Sequence, residues 1–263
     1  MFTNYTSNNK VFFITVYYLM HKLHNNKIIN YDGIHFSGGG FKTMYYFGVL
    51  QYLIENKKMP EYYSGKSAGA FAAMIGIALS SVSSEKRQEF LNYAKFIFET
   101  ELVEKTAPLN KNWCKCEIAA KQTIHICKKI QPYILKYTNK LTLYITHINS
   151  WSLNKKNTWN NWEELEIDLR AGSSIPFIQD YCLVNDSENK LSMDGCFIRS
   201  KKPTNYIHVS CAQNLKANIY PRYCIPNWYN TIINPIHTNL NDWYNDAYFS
   251  SYIFDNLHYF NNN

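Results

Sequence analysis

Two short glycine-framed segments in the first quarter of the chain hold the residues best suited to chemistry. In the second of them, Gly65-Lys66-Ser67-Ala68-Gly69, a serine has a glycine two positions before it and two positions after it. This spacing is typical of a sharp turn between a strand and a helix, where larger side chains would collide with the neighbouring backbone. Such a turn exposes the serine hydroxyl, which makes Ser67 a candidate nucleophile for acyl transfer. The same spacing also occurs in ordinary turns.

The first segment, Ser37-Gly38-Gly39-Gly40, is a candidate oxyanion-binding loop. Backbone N–H groups at the start of a helix can stabilise an oxygen atom on which negative charge develops. A phosphate-binding loop is the alternative, but the Gly-Lys-Ser/Thr ending of a P-loop does not follow the triplet. Thr43 stands where the third glycine of a dinucleotide-binding motif would lie.

A serine nucleophile needs a base, and the usual one is a histidine oriented by a carboxylate. None of the eight histidines lies in a recognisable local motif. Asp194, followed by Gly195 at the end of a strand-like segment, is the better candidate, although Asp-Gly is also a common hairpin turn. The alternative is a triad in the chain order serine, aspartate, histidine, completed by His208, His237 or His258.

Strands and helices that alternate along the chain would position these residues. We expect strands near residues 31–36, 62–65, 141–147, 181–184 and 206–211, and helices over 41–53, 68–79 and 85–102. This alternation is typical of a layered sheet covered by helices. The 263 residues are enough for one sizeable α/β domain.

Four segments, in this order, resemble the motifs of the patatin-like phospholipase family. They are Gly38-Gly39-Gly40-Phe41-Lys42, Gly65-Lys66-Ser67-Ala68-Gly69-Ala70, Ala171-Gly172-Ser173-Ser174-Ile175-Pro176 and Asp194-Gly195-Cys196. The resemblance spans residues 31 to 211. It implies a three-layer α/β/α fold with a central, mostly parallel sheet, and a lipid acyl hydrolase of the phospholipase A or lysophospholipase type.

The resemblance also implies a role for each matching residue. Ser67 is similar to the family's nucleophile and Asp194 to its base, in a dyad that uses no catalytic histidine. Gly38, Gly39, Gly40 and Lys42 correspond to the oxyanion hole. No cofactor and no metal are implied.

The chain departs from the family pattern near these motifs. Lys42 stands where arginine is commoner, Thr43 and Cys196 replace small residues, and Gly172 stands where serine is typical. Lysine still offers a positive donor, without the planar fork of arginine. A catalytically weak or inactive lipid-binding or regulatory protein of the same fold is therefore an alternative.

We expect three parts along the chain: an N-terminal extension (1–30), a patatin-like domain (31–211) with a candidate cap insertion (107–139), and a C-terminal segment (212–263) that packs on the same domain. Within the candidate cap, Cys114, Cys116, His125 and Cys127 could be written as four metal ligands. The one-residue gap between the first two cysteines is shorter than structural zinc sites prefer, so buried thiols are the expectation.

The composition is compatible with contact between the protein and a lipid surface. The net charge of +7, with lysines interleaved with tryptophan and tyrosine, suits transient docking on an anionic lipid surface. Weak nucleic-acid binding fits the same charge, but no nucleic-acid motif accompanies it. The odd number of cysteines, seven, lacks disulfide-scaffold spacing and indicates a reducing compartment, so we expect a cytoplasmic or membrane-peripheral protein.

One N-terminal segment is apolar. The run Val11–Met20 is too short to span a bilayer and lacks the small residues of a signal-peptide cleavage site. We expect a buried element there, with an interfacial anchor as the alternative.

Overall fold

The computed structural model describes residues 31–103, 115–176, 183–199, 201, 203–212, 216–222 and 240–258. In chain order its elements are β1 (Gly33–Phe36), a 3-10 turn (Gly40–Lys42), α1 (Thr43–Glu55), β2 (Tyr62–Gly65), α2 (Ala68–Ser80), α3 (Ser84–Ile97), a π-helical turn (Phe98–Val103), α4 (Lys115–Ile130), a 3-10 helix (Ile134–Lys140), β3 (Leu141–His147), β4 (Ser152–Lys156), α5 (Trp162–Ala171), β5 (Val184–Asn185), β6 (Leu191–Asp194), β7 (Tyr206–Val209) and α6 (Leu240–His258).

The described strands form one seven-stranded sheet. Its order is β5-β6-β3-β2-β1-β7, and β4 pairs with β3 beside this path. Strands β7, β1, β2 and β3 run parallel, whereas β4 and β6 are antiparallel to β3 and β5 is antiparallel to β6. The predicted fold class, an α/β protein with a central, mostly parallel sheet and helices, is confirmed.

The register of β1 and β2 brings the two glycine segments together. Phe36, the last residue of β1, pairs with Gly65, the last residue of β2. Because the carboxyl ends of parallel strands meet at the same edge of a sheet, the chain leaves both strands at neighbouring points. The glycine triplet and Ser67 follow directly at that edge.

One hydrophobic cluster joins the sheet to the helices. On one face, alternate residues of the parallel strands are apolar, such as Ile34 and Phe36 on β1 and Leu143 on β3. Helix α2 is buried along nearly all of its length because its residues are small or apolar. Helices α1, α3, α4 and α6 contribute to the same cluster.

Some boundaries differ from those expected. Helix α1 begins at Thr43 because the chain first makes a 3-10 turn, and α3 ends at Ile97, where the backbone continues as a π-helical turn. Strand β4 was not expected, because its sequence, Ser-Leu-Asn-Lys-Lys, lacks an apolar alternation. Of the expected strand at 181–184, residues 181 and 182 lie outside the described part.

Three further expectations concern parts of the chain that the structure describes incompletely or not at all. The extension 1–30, with its apolar run, lies outside the described residues, as do 104–114 of the candidate cap. The described α4 contacts α2 and α5, and its residues Ala120 and Ile124 join the main cluster. Helix α6 packs on α1. The predicted domain boundaries stay predictions.

Among the helices in the described ranges, none has the length and apolar character needed to cross a bilayer.

Candidate active site

Ser67 lies in a strained turn between β2 and α2. Its backbone angles, φ 53° and ψ −133°, fall in a region that residues other than glycine rarely adopt, at a cost of about 1–3 kcal/mol. A Cβ atom on Gly65 would lie 2.1 Å from Gly69 O, and one on Gly69 would lie 2.3 Å from Phe36 O. Both framing residues must therefore be glycine, and the turn has the strand-to-helix form predicted from the spacing.

The glycine triplet lies directly beside this turn. A Cβ atom on Gly38 would be 3.2 Å from the Cβ atom of Ser67. Within the described part of the chain, the backbone N–H groups of Gly39 and Gly40 donate no hydrogen bond. They are thus available to an incoming oxygen atom.

Two side chains that the sequence did not single out fix the carbonyl groups of the glycine loop. The hydroxyl of Tyr46, on α1, donates to Ser37 O. The thiol of Cys211, just after β7, donates to Gly38 O at 3.3 Å. Because the carbonyl groups are held in this way, the orientation of the loop is set from both α1 and β7.

Lys42 is buried, and its side chain is already engaged. Its Nζ donates to Cys211 O at 3.2 Å and lies 6.0 Å from the centre of the Trp243 ring. Burial lowers the pKa of its ammonium group. In this state Lys42 ties the end of the glycine loop to the segment after β7, and a direct contact with an oxyanion stays a prediction.

Asp194, the last residue of β6, is 2% exposed. Its Oδ1 accepts a hydrogen bond from the backbone N–H of Cys196 at 2.7 Å. The Ser67 hydroxyl is a side-chain hydrogen-bond partner of the same carboxyl group. Burial raises the pKa of Asp194, and the hydrogen bond from Ser67 partly opposes this rise. The two predicted residues of the dyad are therefore in contact.

The backbone at the end of α5 joins the segments that carry the two residues. Gly172 O accepts hydrogen bonds from Ser67 N at 3.3 Å and from Gly195 N at 3.0 Å, and Ser174 O accepts one from Asp194 N at 2.9 Å. We call Gly172–Ser174 the carbonyl clamp. It sets the distance between nucleophile and carboxylate through main-chain atoms alone.

Lys66 adds a positive charge that the sequence argument did not use. Its Nζ donates to Ile198 O at 3.0 Å and lies 5.3 Å from the centre of the Tyr144 ring. Burial lowers the pKa of Lys66, while the nearby Cys196 and Asp194 raise it. The charge favours the ionised form of the Asp194 carboxyl group. Its position inside the serine motif, between Gly65 and Ser67, was the available signal.

The described histidines bond elsewhere. His35 pairs with Ser64 Oγ at 2.8 Å, His147 with Asp186 at 2.7 Å, and His208 with Pro203 O at 3.0 Å, while His125 pairs with the hydroxyl of a tyrosine on α3. Of these four, none is a hydrogen-bond partner of Ser67 or Asp194. Residue 237 and the side chain of residue 258, the other members of the alternative triad, lie outside the description.

The described candidate metal ligands do not come together in a cluster. Over the described ranges, no group of three or more His, Cys, Asp or Glu side chains converges on a point. The Cys116 thiol donates to Ser173 O at 3.0 Å, and the Cys127 thiol contacts Met74 O at 3.7 Å. Cys114 is not among the described residues.

Comparison with known proteins gives the family of the chain. The model of the family described as patatin-like phospholipase matches residues 34–166, which is half of the chain. No curated protein matches the chain. Among solved structures, VipD from Legionella pneumophila is similar with a TM-score of 0.46 and 11% identity, over 91% of this chain and 73% of VipD. On the strength of the family match, this chain belongs to the patatin-like phospholipase family.

Proposed function

We propose that the protein is a lipid acyl hydrolase, of the phospholipase A or lysophospholipase type, that uses Ser67 as nucleophile and Asp194 as base. The observation that carries the proposal is the strained turn at Ser67, whose hydroxyl is a hydrogen-bond partner of the buried Asp194 carboxyl group. Strain of this kind persists only where the surroundings impose it, and it is typical of functional residues. Family membership supports the same activity.

In the first step, Ser67 Oγ attacks the carbonyl carbon of a fatty acyl ester and Asp194 accepts the hydroxyl proton. The carbonyl oxygen gains negative charge, which the backbone N–H groups of Gly38, Gly39 and Gly40 stabilise. Lys42 assists by holding the end of the glycine loop and by its positive charge. The tetrahedral intermediate collapses, the bond to the alcohol breaks, and the alcohol leaves with the proton from Asp194.

In the second step, water releases the fatty acid. Asp194 takes a proton from the water molecule as its oxygen attacks the acyl carbon, and the proton then returns to Ser67 Oγ as the acyl–oxygen bond breaks. The raised pKa of Asp194 suits this role, because a base must bind a proton transiently and release it again. The acyl oxygen again gains negative charge in this step, and the same backbone N–H groups stabilise it.

Exposed aromatic side chains around the site support action at a lipid surface. Phe197, three residues after Asp194, is 49% exposed, and Trp151, in the turn after β3, is 61% exposed. Trp151 follows β3 at the carboxyl edge of the parallel strands, where Ser67 also lies, and Phe197 follows the strand that carries Asp194. Aromatic rings partition into the membrane interface, and the net charge of +7 attracts anionic lipids.

The proposal is tested with purified protein on phospholipid vesicles and on a soluble short-chain ester. Wild-type protein hydrolyses both, and Ser67→Ala hydrolyses neither. A fluorophosphonate probe labels the wild type and Ser64→Ala, a control that removes a serine three positions earlier, but does not label Ser67→Ala. Equal hydrolysis by the wild type and Ser67→Ala would refute the proposal.

A non-catalytic lipid-binding protein of this fold is the second candidate. It is favoured by the engagement of Lys42 with Cys211 O, which leaves the ammonium group turned to the backbone. Under this alternative, the protein binds phospholipid vesicles, but the fluorophosphonate probe fails to label Ser67 in the folded protein. A histidine triad would be indicated instead if substitution of His208, His237 or His258 removed activity as completely as Ser67→Ala.

A further inference from the structure

Cys196 lies between the base and the glycine loop. Its backbone N–H donates to Asp194 Oδ1 at 2.7 Å, so the residue is fixed against the carboxyl group. The residue as a whole is exposed, but its sulfur points inward: a Cβ atom on Gly38 would lie only 2.4 Å from Cys196 Sγ. The sulfur is therefore in contact with the glycine loop beside Ser67.

The thiol makes hydrogen bonds in both directions from this position. Asp194 has the Cys196 side chain among its hydrogen-bond partners, and the backbone N–H of Gly38 is a partner of the Cys196 sulfur. A thiol can donate one hydrogen bond and accept another. The S–H group thus donates to Asp194 while the sulfur accepts from Gly38 N–H.

We propose that Cys196 is a positioning residue that keeps the resting site partly closed, because its sulfur occupies the place at Gly38 N–H that the substrate carbonyl oxygen must take. This inference rests on the proposed function, since it assigns Gly38 to the oxyanion hole. Substrate binding displaces the sulfur, and the displacement limits turnover.

The second effect of the thiol is on the base. Asp194 receives hydrogen bonds from Ser67, from the backbone of residue 196 and from the thiol, and it faces the positive charge of Lys66. Each of these interactions stabilises the carboxylate and lowers its proton affinity, against the larger effect of burial. Burial and the carboxylate of Asp194 raise the pKa of the Cys196 thiol, so the thiol is neutral and able to donate at neutral pH.

Cys196→Ala and Cys196→Ser separate these effects. In the alanine variant, Gly38 N–H is free and Asp194 loses one donor. We expect kcat on a short-chain ester to rise by about threefold or more, a fraction of the roughly 10²-fold worth of a complete oxyanion donor. We expect the acid limb of kcat/KM to move to higher pH by up to about one unit.

The serine variant retains a donor to Asp194, so the acid limb stays near its wild-type position. The control is Cys127→Ala, which removes a core thiol that contacts Met74 O and should leave the acid limb unchanged. A Cys196→Ala enzyme with unchanged or lower kcat and an unmoved acid limb would overturn the proposal.

A second measurement does not depend on turnover. The tryptic peptide 191–199 contains Cys196 as its only cysteine, so its alkylation by iodoacetamide at pH 8 can be followed by mass spectrometry. In Asp194→Asn the thiol no longer faces a carboxylate, and we expect alkylation to be roughly tenfold faster than in the wild type.

The outcomes separate the two proposals. Equal alkylation rates would show that the thiol does not contact Asp194 and would overturn the inference about Cys196, even if Ser67 hydrolyses esters. Faster alkylation without any Ser67-dependent hydrolysis or labelling would refute the proposed function, and with it the role given to the thiol in turnover.

Discussion

Gly69→Ala is the substitution whose effect on the site can be worked out most fully from the distances. The new Cβ atom would lie 2.3 Å from Phe36 O and 2.4 Å from Ser37 O, whereas ordinary contacts begin at 3.4 Å. Helix α2 and the end of β1 must therefore separate by about 1 Å. Because Ser67 directly precedes α2 and the glycine loop follows β1, this movement pulls the nucleophile away from the oxyanion donors.

We expect Gly69→Ala to lose much of its turnover rate and little of its stability. A misplacement of about 1 Å between reacting groups costs on the order of 10²-fold in rate. The overpacking costs about 1–3 kcal/mol of folding free energy, and the higher helix propensity of alanine offsets up to about 1 kcal/mol of that. We expect Gly69→Ala to remain folded, with a modestly lower Tm and roughly 10²-fold lower kcat on a short-chain ester.

Gly76→Ala is the matched control. It lies seven residues later in α2, where a Cβ atom would be 2.5 Å from a ring carbon of Tyr63 and would not touch the glycine loop. We expect this variant to lose stability, measured as Tm, while its kcat stays close to that of the wild type. Near-wild-type turnover in Gly69→Ala, or an equal loss of turnover in Gly76→Ala, would refute the reasoning.

Two further predictions concern the base and the lipid surface. Asp194→Asn should lower kcat by about 10²–10⁴-fold. It should also stabilise the fold at neutral pH: because the folded-state pKa of Asp194 is raised above 3.8, its contribution to stability is full at low pH and is lost as pH rises through the folded value. The Tm of Asp194→Asn should exceed that of the wild type by an amount that grows as pH rises above about 4. A Tm difference that does not change with pH would contradict this. The double variant Trp151→Ala/Phe197→Ala should sediment less with anionic vesicles and keep its turnover of a soluble ester, since both side chains are exposed; equal sedimentation would exclude these residues as lipid contacts.

The parts of the fold set by local pattern could be predicted from the sequence. The glycine spacing around Ser67 predicts a sharp turn because any Cβ atom there would meet main-chain oxygen atoms, and the small apolar residues of α2 predict a buried helix. Strand β4 could not be predicted in this way. Its polar residues form a strand only because β3 offers a free edge for pairing.

The candidate site was less accessible to sequence reasoning. Ser67 and Asp194 lie far apart in the chain, and only the resemblance to a family linked them. The contacts that fix the glycine loop come from Tyr46 on α1 and from Cys211 after β7, and no local pattern marks either residue. The inward position of the Cys196 sulfur likewise depends on β6 lying beside β3, which is a property of the sheet.

The carbonyl clamp has a consequence for protein engineering. Anyone who transplants this dyad into another scaffold must carry three chain segments rather than two, because Gly172 and Ser174 hold the serine and aspartate segments through peptide oxygens. A graft of the two reactive side chains alone would not fix their relative orientation. Gly172 would have to be carried as glycine, because a Cβ atom there would lie 3.0 Å from Tyr144 O.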